Sequence, residues 1–294
     1  MNTYSANKKK TSNYDKPTHM TDLLTSPAPL IDIGVNLSNK SFNGELEAVL
    51  QRAQQANVSQ LILTGTSEEE SENVLQLCQQ YADEFPDMLY ATCGVHPHDA
   101  KHLSVETPGR LKEIASNSQV VAIGETGLDF NRNFSTPTQQ EKAFEMQLEL
   151  AAELQLPVFM HERDAHQRQF EILKQYRDHL TDGVIHCFTG DKTALFNYLD
   201  LNLHIGITGW VCDERRGLEL QKIIKNIPLN RLMLETDAPY LLPRTMTPKP
   251  KNRNNEPAFL PWVLQGIADQ REETLLDIAE KTSKTSKDFF RLGL

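Results

Sequence analysis

The stretch from Val120 to His161, VVAIGETGLDFNRNFSTPTQQEKAFEMQLELAAELQLPVFMH, carries the pattern that decides the fold. It begins with an apolar run, VVAIGE, and a helix is predicted to start at Thr136 and Pro137, because proline is favoured in a first helical turn. Four apolar residues then recur at helical spacing: Phe144, Leu148, Ala151 and Leu154. A second apolar run, PVFMH, follows them. This succession predicts a parallel βαβ unit.

The same alternation extends in both directions from this unit. Eight short apolar or β-branched runs are separated by helical segments: LIDIG (30–34), QLILTG (60–65), LYATCGV (89–95), VVAIGE (120–125), PVFMH (157–161), GVIHCF (183–188), LHIGITG (203–209) and LMLETD (232–237). Their span is close to the ~250 residues of a (β/α)8 barrel. A doubly wound open sheet is the alternative, but the G-x-G-x-x-G fingerprint is absent after the first run. We therefore predict an α/β fold, a (β/α)8 TIM-type barrel with a single catalytic domain.

The first 29 residues differ from the rest of the chain. They are polar and lack the continuous apolar core of a signal peptide. We expect residues 1–29 to form a flexible N-terminal tail and residues 30–294 to form the barrel domain.

The composition excludes several classes of function. Thirty Lys and Arg against forty Asp and Glu give a net charge of −10, so the chain is not a general polycation for nucleic acid or membrane. No apolar run approaches the ~20 residues of a membrane span. The four cysteines form no C-x-x-C pair, which favours a reduced, cytoplasmic setting.

Histidines and carboxylates occur where the predicted strands end, the edge of a barrel that carries catalytic groups. Four of them end runs four, five, six and eight: Glu125, His161, His186 and Asp237. Each alone can be a hydrogen-bonded core residue, a helix cap or an ion-pair partner. Two imidazoles and two carboxylates converging on one axis instead favour a divalent cation. We therefore predict a metal site at this edge.

Other polar residues near the strand ends are candidates for the pocket. The third run continues into GVHPH, where His96 and His98 are either structural or contact substrate. Asp32 is expected to reach the pocket from the first strand, with Asn36 just beyond it. We reject a thiol nucleophile at Cys187, because neighbours on a strand point to opposite faces and His186 already faces the pocket.

A basic segment follows the eighth strand and predicts a place for a polyanion. In PRTMTPKPKNRNNEP, four cations accompany a single acid, and loops after strands 7 and 8 of a barrel are frequent phosphate sites: Arg244, Lys249, Lys251 and Arg253. Arg132, Arg163, Arg215 and Arg216 lie in other loops of the same predicted face. The alternative for each is an ordinary solvated charge. Phe134 and Trp210 either stack on bases or pack in the core.

Several long motifs together carry a resemblance to a known family. DIGVNL, GVHPHD, AIGETGLDFNRNFSTP, PVFMHERDAH, HCFTG, GITGWVCDERRG and ETDAPYLLPR resemble those of the TatD family of metal-dependent deoxyribonucleases, from about residue 30 to the end. The resemblance implies a (β/α)8 barrel of the metal-dependent hydrolase superfamily. It also implies that Glu125, His161 and His186 are metal ligands, and that Asp237 is a ligand or takes the proton of the attacking water.

One departure from the family pattern affects the metal content. Many members carry D-x-H-x-H at the first strand and bind two metals, whereas this chain has Asp32, Gly34 and Asn36, as in the bacterial TatD subgroup. We expect one tightly held divalent ion, Mg²⁺ first and Mn²⁺ or Zn²⁺ as alternatives, and any second ion only at high magnesium.

The resemblance favours a monomeric 3′ to 5′ exonuclease on single-stranded DNA, with RNA as a second substrate, in DNA repair or degradation. Asp237 is the candidate general base and Glu125 anchors the metal, while His96 or His98 protonates the leaving group or contacts phosphate. Two alternatives remain open at this point. One is an amidohydrolase acting on a small cyclic amide or ester. The other is a non-catalytic partner in secretion-linked quality control.

Overall fold

The computed structural model describes residues 23–293. Most of the predicted tail, residues 1–22, lies outside the described residues. Ser26 and Ala28, which belong to the rest of it, are buried, and the Ser26 amide donates to the Ala56 carbonyl at 3.1 Å. The packed part of the chain therefore begins before the first strand.

Eight parallel strands form a single sheet in sequential order, which confirms the predicted barrel. They are β1 (Leu30–Val35), β2 (Val58–Leu63), β3 (Leu89–Cys93), β4 (Val120–Asp129), β5 (Val158–Arg163), β6 (Gly183–Ile185), β7 (His204–Ile207) and β8 (Leu232–Leu234). The barrel is nearly closed by a parallel bridge between Val35 and Ala238. The Asn36 amide donates to the Ala238 carbonyl at 2.8 Å and the Asp237 amide to the Gly34 carbonyl at 2.9 Å. The contact between residues 34–36 and 237–238, which closes the barrel, thus lies next to the predicted site.

Helices follow the strands and cover the outside of the sheet. Among the described residues they are α1 (Leu46–Gln55), α2 (Glu68–Gln80), α3 (Thr107–Ala115), α4 (Pro137–Leu154), α5 (His166–Tyr176), α6 (Lys192–Asp200), α7 (Leu218–Ile223), α8 (Leu260–Ala268) and α9 (Leu275–Phe290). At the predicted start of α4, Thr136 and Gln139 form a capping box, with Pro137 in the first turn. The last βα unit is followed by one extra helix, α9.

The core has two layers because strand side chains alternate between the two faces of the sheet. Ile31, Ile33, Ile62 and Phe159 pack inside the barrel. Their strand neighbours pack outward against the helices. The inner layer fills the barrel, and the side chains of the predicted site meet above it, at the carboxyl ends of the strands. Within residues 23–293, none of the helices combines the length and the apolar character needed to cross a membrane.

Candidate active site

A cleft of about 620 Å³ opens at the carboxyl ends of the strands. It is lined by the predicted residues of runs four, five, six and eight, and by both histidines of GVHPH: His96, His98, Glu125, His161, His186 and Asp237. The remaining lining is mostly polar, with Asn36, Glu162 and Thr189 among it. The structure therefore brings together the four residues that the sequence predicted to converge, and it places His96 and His98 beside them.

The carboxylate of Glu125 lies at the centre of this cluster. Its backbone amide donates to the Gly65 carbonyl at 2.7 Å, which fixes the residue within β4. Glu125 Oε1 lies 2.9 Å from His186 Nε2 and 3.0 Å from His161 Nδ1. The same oxygen lies 3.4 Å from His96 Nε2. One carboxylate oxygen thus faces nitrogens of three imidazoles.

These neighbours shift the protonation equilibria of the cluster. Burial raises the pKa of a carboxyl group, but the charge on His186 and the hydrogen bonds from His161 and His186 outweigh it and hold the pKa of Glu125 well below its usual range. Burial opposes a charged imidazole, yet Glu125 and Glu235 raise the pKa of His186 well above its usual value. Burial dominates at His96 and lowers its pKa. The cluster therefore favours an ionised Glu125 beside a neutral His96.

The outer nitrogens of two histidines face further carboxylates. His186 Nδ1 lies 3.1 Å from Glu235 Oε2, and Glu235 is fully buried. His161 Nε2 lies 3.4 Å from Asp129 Oδ2, and it is buried without a hydrogen-bond partner. A carboxylate behind an imidazole is the arrangement that fixes the tautomer of metal-binding histidines. In His186 it holds the Nδ1 proton, so that Nε2, the nitrogen that faces Glu125, is the one that would bind a cation after losing its proton.

His96 has the opposite arrangement. Its Nδ1 accepts a hydrogen bond from the His98 backbone amide at 3.1 Å. A neutral imidazole that accepts at Nδ1 carries its proton on Nε2. His96 therefore presents an Nε2–H donor to the cleft, whereas in His186 it is the Nδ1 proton that is held, by Glu235.

Asp237 and His98 lie on either side of the central cluster. Burial raises the pKa of Asp237 to about 7; His186 opposes the rise, whereas Glu125 and Glu235 add to it. Asp237 Oδ1 accepts a hydrogen bond from Asn36 Nδ2 at 3.1 Å. His98 Nε2 pairs with Asp129 Oδ2 at 2.7 Å. The exposed ring of Phe134 packs edge-on against His98, with centroids 4.7 Å apart.

The four cations that follow β8 are not among the residues that line this cleft. Arg244 forms a two-pronged ion pair with Glu214, with N···O distances of 2.9 and 2.7 Å. Lys249, Lys251 and Arg253 are exposed. The one acid of the segment, Glu256, is bound to Arg52 at 2.7 Å. Three of the four cations are therefore open to solvent.

Two expectations about neighbouring residues are wrong. Asp32 does not reach the cleft, because it is fully buried and accepts hydrogen bonds from the Thr236 amide at 2.9 Å and its hydroxyl at 2.5 Å. Cys187 does line the cleft beside His186, because β6 ends at Ile185 and Cys187 takes a left-handed backbone conformation with φ 46°. The strand rule therefore does not apply there. Burial raises the pKa of the Cys187 thiol, which still argues against a nucleophile.

Sequence reasoning missed Glu235 and Asp129. Both are buried carboxylates directly behind the histidines of the cluster. Glu235 stands in ETD two residues before Asp237, and Asp129 stands four residues after Glu125 in GETGLD. An acid in the buried end of a strand was a usable signal, because an acid is almost never fully buried unless it is paired.

The donors of this cluster fit a divalent cation. Ligand atoms of His96, Glu125 and His161 lie within 4.8 Å of one another. His186 Nε2 reaches the same Glu125 oxygen, although it is not within that distance of all three. The crowding of three imidazoles around one carboxylate oxygen is accounted for when a cation replaces the shared protons. A (β/α)8 barrel with this donor set belongs to the class of metal-dependent hydrolases.

Comparison with known proteins identifies the family. The family model described as TatD related DNase matches residues 31–291. Proteins named 3′-5′ ssDNA/RNA exonuclease TatD from Pectobacterium parmentieri and a Rahnella species are 49% and 51% identical over 264 residues, covering 90% of this chain and 100% and 99% of theirs. The crystal structure of a TatD homologue from Escherichia coli superposes with a TM-score of 0.78 at 29% identity, over 89% of this chain and 98% of that one. The chain belongs to the TatD-related DNase family and is a hydrolytic nuclease.

Proposed function

We propose that this protein removes nucleotides in the 3′ to 5′ direction from single-stranded DNA and RNA, using one tightly held divalent ion. The observation that carries the proposal is the arrangement around Glu125 Oε1, with imidazole nitrogens at 2.9, 3.0 and 3.4 Å. The names of the relatives from Pectobacterium and Rahnella support the substrate and the direction. The polar lining of the cleft argues against a closed apolar pocket for a small amide or ester.

Glu125, His161 and His186 are the proposed metal ligands, and Asp237 completes the set. His186 is oriented by Glu235, and His161 by Asp129. A divalent ion bound there supplies positive charge for the non-bridging phosphate oxygens and lowers the pKa of a water molecule. Mg²⁺ is the ion we propose, with Mn²⁺ and Zn²⁺ as substitutes, because carboxylates contribute half of the ligands.

Asp237 is the proposed proton acceptor. Asn36 holds the Oδ1 of Asp237, so Oδ2 is the atom that would bind the ion or take a proton from water. His96 is the proposed donor to a phosphate oxygen or the leaving group, since its Nε2 carries the proton. His98 contacts the substrate beside it.

The strand is held by positive charge outside the central cluster. We propose that the exposed Lys249, Lys251 and Arg253 contact the backbone beyond the cleft, with Arg244 fixed by Glu214 at the base of the same loop. One chain supplies every member of the cluster, which supports a monomer as the active form. All four cysteines are free, which supports a reducing, cytoplasmic location. The role that we propose there is DNA repair or degradation.

The test is a digestion of end-labelled single-stranded DNA and RNA. The 5′-labelled strand is expected to give a ladder that shortens with time when magnesium is present, and none when a chelator is present. A Glu125→Gln variant is expected to give no ladder in magnesium while it keeps the wild-type circular dichroism. An unshortened 5′-labelled strand, or equal cleavage by the variant, contradicts the proposal.

A further inference from the structure

Two arginines lie over the ring of one tryptophan at the edge of the cleft, one from the end of β5 and one from the loop after β7. The guanidinium carbon of Arg216 lies 4.4 Å from the ring centroid of Trp210, and that of Arg163 lies 5.9 Å from it. Trp210 lines the cleft, and its indole N–H donates to the Arg216 carbonyl at 3.2 Å. Stacking of this kind holds a guanidinium in place while its N–H groups stay free.

Arg163 has an unusual position for a positive charge. It is the one Lys or Arg among the described residues that line the cleft, and five acids share that lining: Glu70, Asp99, Glu125, Glu162 and Asp237. Its only side-chain hydrogen bond within residues 23–293 is to Thr189 Oγ1, at 3.3 Å. No acid of this part of the chain forms an ion pair with it. Its charge is therefore unneutralised.

Arg216 is held from the other side by Asp213, which is nearly fully buried. Asp213 Oδ1 accepts the backbone amides of Arg215 and Arg216 at 2.9 and 3.1 Å, and Oδ2 accepts Arg216 Nε at 3.0 Å. The side chain of Arg216 remains 58% exposed. Its two terminal nitrogens have no hydrogen-bond partner among the described residues. The loop thus fixes Nε of Arg216 and leaves the two terminal nitrogens of its guanidinium group facing solvent.

We propose that Arg163 and Arg216, positioned by Trp210, form a phosphate-binding subsite for the nucleotide next to the scissile one. The inference rests on the proposed function and deepens it, because it adds a binding site beyond the metal cluster. The ligand is the bridging phosphate of a polynucleotide, for which a guanidinium fork offers paired donors.

The spacing along β5 supports this assignment. His161 and Arg163 are two residues apart on one strand and face the same side, so their Cα atoms are separated by roughly 6.6 Å. That is the order of the distance between neighbouring phosphates of an extended single strand. A phosphate at the histidine cluster therefore brings the next phosphate within reach of Arg163. Arg216 then meets it from the loop after β7.

The two tryptophans of the chain allow a direct test. In a Trp262→Phe background, Trp210 is the sole tryptophan, and its emission reports events beside the two arginines. The protein is titrated in calcium with a short oligothymidylate and, separately, with thymidine monophosphate, which lacks a neighbouring phosphate. Saturation by the oligonucleotide is expected to change the emission of Trp210. The reciprocal Trp210→Phe variant, which keeps Trp262, is expected to show no change.

The arginine variants test the subsite itself. Arg163→Gln and Arg216→Gln are each expected to weaken oligonucleotide binding about ten-fold, and the mononucleotide much less, because a hydrogen bond to a charged group contributes this order of affinity. Each also lowers the slope of log affinity against log salt by ~0.7. Arg215→Gln is the matched control, since Arg215 is exposed in the same loop but forms no stack on Trp210. It is expected to change affinity less than either.

The outcomes separate the two claims. If the wild type shortens a labelled strand but both arginine variants bind it with wild-type affinity and salt dependence, the subsite is refuted and the proposed function stands. Equal losses for mononucleotide and oligonucleotide also refute it, because the arginines then act at the central cluster. If the wild type neither binds nor shortens the strand in the presence of a divalent ion, the proposed function fails, and the subsite with it.

Discussion

At the residue scale, Glu235 accounts for much of the order in the site. It is fully buried and accepts from His186 Nδ1 at 3.1 Å and from the Cys187 backbone amide. A buried acid retains its charge only when it is paired and hydrogen-bonded. Here both requirements are met by consecutive residues of one strand end. Glu235 therefore fixes the ring of His186 with Nε2 toward Glu125.

We expect Glu235→Gln to weaken metal binding by about 10- to 100-fold, the usual cost of changing a partner behind a metal-binding histidine. The amide can still accept from the Cys187 N–H, but its NH₂ group then opposes the Nδ1 proton of His186. Calorimetric titration with Mn²⁺ measures the effect. Glu171→Gln, at an exposed position of α5, is the control. Wild-type affinity in Glu235→Gln would show that His186 needs no orienting partner.

A second residue-scale prediction concerns Asp32, whose pKa is raised to about 8 by burial. Between its unfolded pKa, near 4, and about 8, the folded protein holds a proton that the unfolded chain has lost. The free energy of unfolding therefore falls as pH rises through this window, by up to ~1.4 kcal/mol per pH unit for one proton. Asp32→Asn mimics the protonated group and removes this contribution.

Denaturant unfolding from pH 5 to 8, in a chelator, is expected to show a shallower pH dependence for Asp32→Asn than for the wild type. Asp178→Asn, at an exposed position after α5, is expected to run parallel to the wild type. If the Asp32→Asn profile also runs parallel, the buried carboxyl is ionised throughout this range.

At the element scale, two glycines on neighbouring strands make room for Glu235. A Cβ on Gly34 of β1 would lie 2.6 Å from Glu235 Oε2, and one on Gly206 of β7 would lie 2.6 Å from Oε1. A side chain at either position would require the Glu235 carboxylate to shift, so the two glycines leave the room that it occupies.

We expect Gly206→Ala to lower the free energy of unfolding by about 1–3 kcal/mol, because the added methyl group overpacks a buried carboxylate. The displaced Glu235 should also weaken metal binding. The matched control is Gly109→Ala in α3, where a Cβ meets nothing within 4 Å. That change is expected to leave stability unchanged or raise it by up to ~1 kcal/mol. Equal stability of the two variants would contradict the close packing around Glu235.

The elements also show what sequence can and cannot predict. All eight strands and the start of α4 followed from local signals: apolar runs, helical spacing and a proline at the first turn. The convergence of Glu125, His161, His186 and Asp237 followed from their positions at strand ends. The course of the chain beyond a strand did not. Cys187 lines the cleft because its own backbone is left-handed, and Asp32 is held inside the barrel by hydrogen bonds from Thr236. Both features depend on tertiary contacts.

At the scale of the whole molecule, a protein with a net charge of −10 must bind a polyanion. Lys249 and Lys251 are exposed on the loop after β8, whose prolines restrict its conformations. We expect Lys249→Gln/Lys251→Gln to weaken binding of every sequence alike and to flatten the salt dependence by up to ~1.4. Fluorescence anisotropy with a labelled oligonucleotide in calcium measures both. Metal affinity should not change, because neither lysine is near the cluster.

The control for this prediction is Lys281→Gln/Lys287→Gln, which removes the same charge from exposed positions of α9. Its salt dependence is expected to match the wild type. If the two double variants behave alike, the loop after β8 holds no phosphate, and binding depends only on the overall charge.

The proposed function depends most on whether the cluster around Glu125 holds the catalytic ion. Anomalous scattering from crystals grown with manganese tests it directly. We predict one well-occupied peak in substrate-free protein, about 2 Å from Glu125, His161 and His186, with Asp237 beside it. A peak held by other residues, or no peak at Glu125 under conditions where the protein cleaves DNA, would contradict the account.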